Sequence, residues 1–248
     1  MKRLLKNSLF LIPTAAFLPL PLISLKCETN KEIKNENQEK SNPNALNKLL
    51  SKSIILNNVE YEFSDEFKHN KTTQVSLKFT KDGDTADFLN HKTNKEVVTV
   101  RFAGIDTPEK SKRLPNGKRI PTTGVQFKYA TLASKHTKNR LEEAKKIWII
   151  PQKTKSFKKD TKYSLTDKYG RIIGIVVILT KENELICLNK ELVELGFAKM
   201  RYISRVLGDL YYTENTNYYD WIKKAEGTAR KENKGFWKEN VVQIFPKN

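Results

Sequence analysis

The sequence predicts an α+β fold, a small β-barrel carrying helices on its outside. Three observations lead there. Alternating apolar and polar residues recur between about 72 and 105, the mark of half-buried strands. "RIIGIVVIL" is a nearly continuous β-branched run, fit for the middle of a barrel or sheet. Two other segments carry apolar residues at helical spacing, one of them near the C-terminus.

The chain opens with the short positive region "MKRLLK", then "SLFLIPTAAFLPLPLISL", an apolar run broken by Pro13, Pro19 and Pro21. Those prolines and the length disfavour a spanning helix, and the layout over residues 1–27 is that of a secretory signal. The run stops at "LISLKC", placing Cys27 where a lipid-modified cysteine begins a mature chain, which resembles a bacterial lipoprotein signal. The expected location is the extracellular face of the cell membrane, with Cys27 as the lipid anchor, or outside the cell as a secreted chain. Residues 28–71 begin with "ETNKEIKNENQEKSNPNALNK", almost without apolar side chains, and read as a flexible polar tether. The other cysteine, Cys187 in apolar "ELICLNK", reads as a buried inert thiol.

From about Thr72 the pattern becomes globular. "TQVSLKF" sets Val75, Leu77 and Phe79 on one face of a strand, and "TADFL" follows an Asp-Gly-Asp turn as the other arm of a hairpin. "EVVTVRFAGI" puts Val98, Val100 and Phe102 on one face, leaving Arg101 on the side that the turn carboxylates face. A helix over about 125–146 aligns Val125, Tyr129, Leu132 and His136, so His136 reads as a core-edge residue without chemistry. "KIWII" is a further strand. "NKELVELG" reads as a short helix capped by Asn189 and stopped by Gly196. A last helix presents Tyr218, Trp221, Ile222, Ala225 and Ala229 on one face and ends at "NKGFW".

Lys and Arg number 46 against 28 Asp and Glu, a formal charge of +18, and a field of that sign attracts phosphate polymers or anionic surfaces. Lysine far outnumbers arginine and asparagine is abundant, so compositional bias accounts for part of the excess. Two basic loops, "KSKRLPNGKRIPTTG" and "PQKTKSFKKDTKYSLT", flank the acidic residues as a funnel for a polyanion would. There is no glycine-rich phosphate loop, no His-Glu-x-x-His and no paired Cys-x-x-Cys. "DGDTADFLNHKT" fails as an EF-hand, with Ala86 at the fifth position, Asp87 where glycine is required and Thr93 in place of the bidentate glutamate.

If Asp82 and Asp84 help hold a cation, other ligands come from elsewhere, and "RFAGIDTPEK" offers them. A strand delivers Arg101, the chain turns, and Asp106, Thr107 and Glu109 follow around a proline. Carboxylate and carbonyl oxygens suit Ca²⁺ or Mg²⁺, and a planar guanidinium grips two phosphate oxygens at once. "TDKYGR" supplies a second arginine, Arg171, at a tight turn entering a strand.

"DGDT", "RFAGIDTPE" and "DKYGR", in that order, resemble the signature of the staphylococcal nuclease (thermonuclease) family. The similarity spans roughly Thr72 to Trp237, including "LNKELVELGFAKM" and "EGTARKENKGFW". The resemblance implies a nuclease domain over 72–240 followed by a tail at 241–248. It also implies an OB-fold five-stranded barrel with about three helices, and a monomeric Ca²⁺-dependent phosphodiesterase acting on DNA and RNA. By motif position, Asp84 and Asp106 would ligate Ca²⁺ together with the Thr107 carbonyl, supported by Asp82. Glu109 would activate water, and Arg101 and Arg171 would clamp the phosphate. Lys168 and Tyr169 would lie along the nucleotide's phosphates and Tyr202 beside the base. The position two after Tyr202, often aromatic in relatives, is Ser204 here, which weakens expected base stacking. The alternative is a non-catalytic OB-fold surface lipoprotein that binds nucleic acid without cutting it.

Overall fold

The computed structural model describes residues 52–90, 92, 96–155 and 162–246. The signal region, Cys27, most of the tether and the middle of the second basic loop lie outside the described residues. Five strands close the barrel: β3 (Thr73–Asp82), β4 (Thr85–Leu89), β5 (Val97–Phe102), β9 (Lys146–Pro151) and β12 (Ile172–Leu179). Before β3 come β1 (Ser53–Leu56) and β2 (Val59–Glu62). Between β5 and β9 lie β6 (Ile105–Asp106), β7 (Ser111–Arg113), β8 (Arg119–Pro121) and helix α1 (Gly124–Glu143). The short pair β10 (Thr154–Lys155) and β11 (Tyr163–Ser164) precedes β12. After it come β13 (Leu185–Cys187), α2 (Leu188–Glu194), β14 (Lys199–Met200), α3 (Thr216–Lys231) and α4 (Val241–Ile244).

Strands β3, β4 and β5 pair antiparallel in sequence order. β5 then runs parallel to β12, β12 antiparallel to β9, and β9 returns to β3, so the mixed sheet closes on itself. β13 adds a sixth strand on β12. This is the closed five-stranded barrel expected of an OB-fold, and closure removes the free edges that an open sheet would expose. Phe88, Val100, Phe102 and Ile149 fill the barrel interior, while Trp148 and Ile175, on the opposite face of the sheet, are buried beneath the elements packed outside it.

The strand pattern holds with one exception. A register shift between Leu77 and Phe79 turns Phe79 outward, where it is 61% exposed, because a bulge inserts one residue and reverses the alternation beyond it. In α1 the stripe is rotated from the expected one. Tyr129, Ala130, Ala133, Thr137 and Leu141 are buried, whereas Leu132 is 38% exposed. Small residues face inward because α1 lies close against the β3–β4 turn. His136 donates or accepts across to Glu191 of α2 at 3.0 Å, where Arg140 also pairs, so it ties two helices together.

Asn189 is not a cap. It is fully buried within α2, accepts from Val176 N at 2.9 Å and donates to Ala103 O at 3.0 Å. Its amide thus satisfies backbone groups of the barrel that would otherwise be orphaned. Gly196 does stop α2, with φ +65° just past the cap residue Leu195.

The fold also begins earlier than Thr72. Residues 53–62, read from the sequence as tether, form a hairpin whose Ile54, Leu56 and Tyr61 join the main core. The expected tail likewise holds α4, whose Ile244 is buried in a small cluster with Tyr129 and Phe236.

Candidate active site

The Asp-Gly-Asp turn joins β3 to β4, and α1 sets its position. A Cβ on Gly83 would lie 2.8 Å from the Ala133 Cβ and 2.9 Å from the Thr107 Cγ2, so only glycine fits this approach. Thr137 Oγ1 donates to Gly83 O at 2.6 Å, and Ser134 Oγ donates to Asp82 Oδ1 at 2.9 Å. The flanking carboxylates are therefore fixed by the helix rather than left to the flexibility of a loop.

Asp84 is buried and fully engaged. Thr107 donates to its Oδ2 from the backbone N at 2.7 Å and from Oγ1 at 3.0 Å, while Oδ1 pairs with Arg101 Nη1. The second Nη of Arg101 lies 2.8 Å from Asp106 Oδ1 and also donates to Ile105 O at 3.2 Å. One guanidinium therefore bridges two carboxylates carried by different strands, β4 side and β6. The β5–β6 turn allows this through Gly104, whose φ of +73° reverses the chain immediately after Arg101 and Phe102. Burial alone would lower the affinity of Arg101 for its proton, but Asp84 and Asp106 outweigh it and hold the charge firmly in place.

Asp82 and Glu109 complete an acidic mouth. Burial and then the charge of Asp84 push the Asp82 carboxyl above its ordinary range. Glu109 is pushed up to about 7, first by desolvation and then by Asp82 and Asp84, with Arg101 opposing. Negative charge gathered in this way is what a cation would relieve.

The donor set fits a hard divalent ion: two carboxylates, Asp84 and Asp106, and the Thr107 carbonyl, which accepts no hydrogen bond among the described residues. Among those residues no group of three His, Cys, Asp or Glu side chains lies close enough to make a centre from side chains alone. A cation here would lean on carbonyl and water oxygens for the rest of its shell.

The remaining predicted residues fall in two places. Tyr202, with a left-handed φ of +59°, lies with its ring 5.7 Å from the Arg101 guanidinium. Arg171, Lys168 and Tyr169 form a separate group around the turn before β12. Arg171 Nη2 pairs with Asp167 Oδ2 at 2.7 Å, and its guanidinium stands 5.3 Å from the Tyr169 ring. Lys168 Nζ lies 5.0 Å from the same ring. The sheet brings the turn that carries this group beside β5, where Ile172 pairs with Val100 and Ile173 with Arg101. No contact joins Arg171 to Asp84, Asp106 or Glu109 among the described residues.

Sequence reading missed two participants. Arg201 reaches Asp106 Oδ2 at 3.1 Å from the opposite side to Arg101, and its guanidinium lies 4.7 Å from the Tyr202 ring. Tyr211 packs against Tyr202 at 5.1 Å between ring centroids, supplying an aromatic where Ser204 does not. The loop that brings it back is closed by bonds from Ser204 N to Tyr211 O and from Thr213 N to Ser204 O, both 2.8 Å, a pairing without a periodic signal in the sequence.

Comparison with known proteins agrees with this geometry. Residues 99–239 match the model of the staphylococcal nuclease homologue family, more than half of the chain. An uncharacterized protein of Methanocaldococcus jannaschii, MJ1439, is 29% identical over 163 residues, covering 63% of this chain and 67% of its own. Endonuclease YhcR of Bacillus subtilis is 28% identical over 159 residues, 64% of this chain but 11% of that much longer protein. The match begins at Thr99, so Asp82 and Asp84 precede it, yet folding brings them onto the side chains that it includes. A closed barrel of the right topology, an arginine bridging two turn carboxylates and the family match lead to one conclusion: the chain belongs to the staphylococcal nuclease homologue family.

Proposed function

We propose that this chain is a Ca²⁺-dependent phosphodiesterase that hydrolyses DNA, with RNA as a second substrate, and leaves 3′-phosphorylated products. The observation that carries the reading is the single guanidinium of Arg101 held between Asp84 and Asp106, with Glu109 beside them and raised to about 7. A Ca²⁺ ion held by Asp84, Asp106 and the Thr107 carbonyl, with Asp82 in support, would neutralise phosphoryl charge and orient the attacking water. Glu109 takes the proton of that water as the oxygen attacks phosphorus in line with the departing 5′ oxygen. Arg101 donates to the non-bridging oxygens as their charge grows. Arg171 serves as the second clamp by exchanging Asp167 for the phosphate. Lys168 and Tyr169 line the path of neighbouring phosphates, and Tyr202, backed by Tyr211, faces the base. Contacts of this kind go to the backbone, so little sequence preference follows.

The chain acts as a monomer tethered to the outer membrane face through a lipid on Cys27, or as a secreted protein. No helix among the described residues is long and apolar enough to cross a membrane. Plasmid DNA incubated with the purified chain in calcium, and separately in excess chelator, tests the proposal. Cleavage with 3′-phosphate ends in calcium alone is expected. Undiminished cleavage in chelator refutes the metal dependence, and retention of plasmid without cleavage in calcium refutes catalysis.

A further inference from the structure

Strands β7 and β8 form a two-stranded arm that springs from the active site immediately after Glu109. Its base is fixed by Thr122, which donates from Oγ1 to Glu109 O at 2.7 Å and from N to Lys110 O at 2.9 Å. The register places Arg113 directly opposite Arg119. Cross-strand partners share a face of the ribbon, so two exposed arginine side chains leave the same face. Like charges placed so are destabilising, and no carboxylate among the described residues relieves them. Neither arginine pairs with a carboxylate among the described residues. Their Nε atoms are bound, Arg113 to Gly117 O at 3.3 Å and Arg119 to Ser111 Oγ at 3.1 Å, which holds the stems while the terminal nitrogens stay free.

The other described arginines are each paired with a carboxylate, and some lysines are too. Arg230 pairs with Glu226 at 3.0 Å, Arg205 with Asp220 at 3.0 Å and Lys138 with Glu142 at 3.7 Å. On the arm, Lys112 and Lys118 are exposed and lack a carboxylate partner among the described residues as well. Each uncompensated guanidinium, with its terminal nitrogens free, can grip a phosphate in bidentate fashion, and two on one face suit successive phosphates of a backbone. At about 3.3 Å per residue, the four steps from Glu109 to Arg113 carry the pair about 13 Å along the arm, outside the cleavage centre.

We propose that Arg113 and Arg119 form a phosphate-binding fork that holds the sugar–phosphate backbone of a polynucleotide away from the bond being cut. The proposal rests on the nucleic-acid reading above and extends it to a site outside the cleavage centre. The test is binding of a fluorescein-labelled single-stranded 20-mer to the full chain in chelator, followed by anisotropy across a salt series. In R113A/R119A, affinity falls and the slope of log K against log salt becomes shallower by about 0.7 for each phosphate that is no longer neutralised. R113K/R119K keeps most of the slope. The control K78A/K181A removes the same charge from two exposed lysines elsewhere and leaves the slope in place. Unchanged affinity and slope in R113A/R119A, or an equal loss in the control, overturns the fork. Because binding is read in chelator, a parent chain that binds there but does not cut in calcium refutes the proposed catalysis and leaves the fork standing.

Discussion

Replacing Arg101 with lysine keeps the charge and removes the fork. In the folded protein its side chain is only 13% exposed and holds two carboxylates through separate nitrogens. Lysine can satisfy one of them at a time. Asp84 keeps its bonds from Thr107 at 2.7 and 3.0 Å, so the carboxylate is not stranded. Loss of one charge-assisted bond costs about 1.5–3 kcal/mol. For a folded part of this size that corresponds to a fall in melting temperature of roughly 3–12 °C, so the variant stays folded at room temperature. Catalysis suffers more, because a preorganised donor to a developing oxyanion contributes roughly 3–4 kcal/mol, a loss of about 10²–10³ in kcat. The assay is initial plasmid cleavage in calcium, alongside a thermal melt by circular dichroism. A folded Arg101→Lys protein within threefold of the parent rate would refute the phosphate-clamp reasoning.

Other expected outcomes are as direct. Glu109→Gln stays folded and loses about 10²–10⁴ in turnover, measured under the same conditions; a rate near the parent's removes the general base. Gly83→Ala drives a methyl into Ala133 and Thr107, destabilises by about 1–3 kcal/mol and depresses cleavage. Stability and cleavage equal to the parent's show that close approach is not what glycine provides. Burial pushes the Glu191 carboxyl up, but hydrogen bonds from His136 and Arg140 outweigh it and hold its pKa at about 2. Its contribution is present above about 4.5 and disappears as pH falls toward 2, up to about 3 kcal/mol less screening by solvent. Denaturant melts between those pH values should lose that slope in Glu191→Gln. A radioactive fatty acid should label the chain in growing cells and leave Cys27→Ser unlabelled; label retained by that variant places the lipid elsewhere.

The barrel was legible because its strands bury one face and so write their period into the sequence. What escaped had no such period. Phe79 obeys the alternation in sequence and defies it in space, since a bulge just before it is set by pairing with β4. The hairpin at 53–62 did carry a signal: Asn57 and Asn58 both adopt positive φ, 48° and 62°, between alternating apolar residues. A two-residue Asn-Asn loop is suited to a tight hairpin turn, but the polar composition upstream masked it. Asn189 looked like a cap because it begins the helical pattern. Its burial and its bonds to Ala103 and Val176 depend on barrel strands well removed in sequence, which no local pattern encodes.

For the site, chemistry was easier to read than geometry. Asp84, Arg101, Asp106 and Thr107 stood out as residue types rare together in a lysine-rich chain, and they do converge. Arg201 and Tyr211 gave no warning, because each gains meaning only through contact with Asp106 and Tyr202. Arg171 was read from the same motif logic as Arg101, and its guanidinium is paired with Asp167. Its partner is four residues away, a local ion pair that would have to give way on substrate binding.

That exchange makes the most direct measurement a crystal structure of the chain with Ca²⁺ and a nucleoside 3′,5′-bisphosphate. The expected result is the ion on Asp84, Asp106 and the Thr107 carbonyl, with Arg101 and Arg171 both donating to one phosphate and Asp167 released. A cation bound elsewhere, or a phosphate seated without either guanidinium, would contradict the proposed centre.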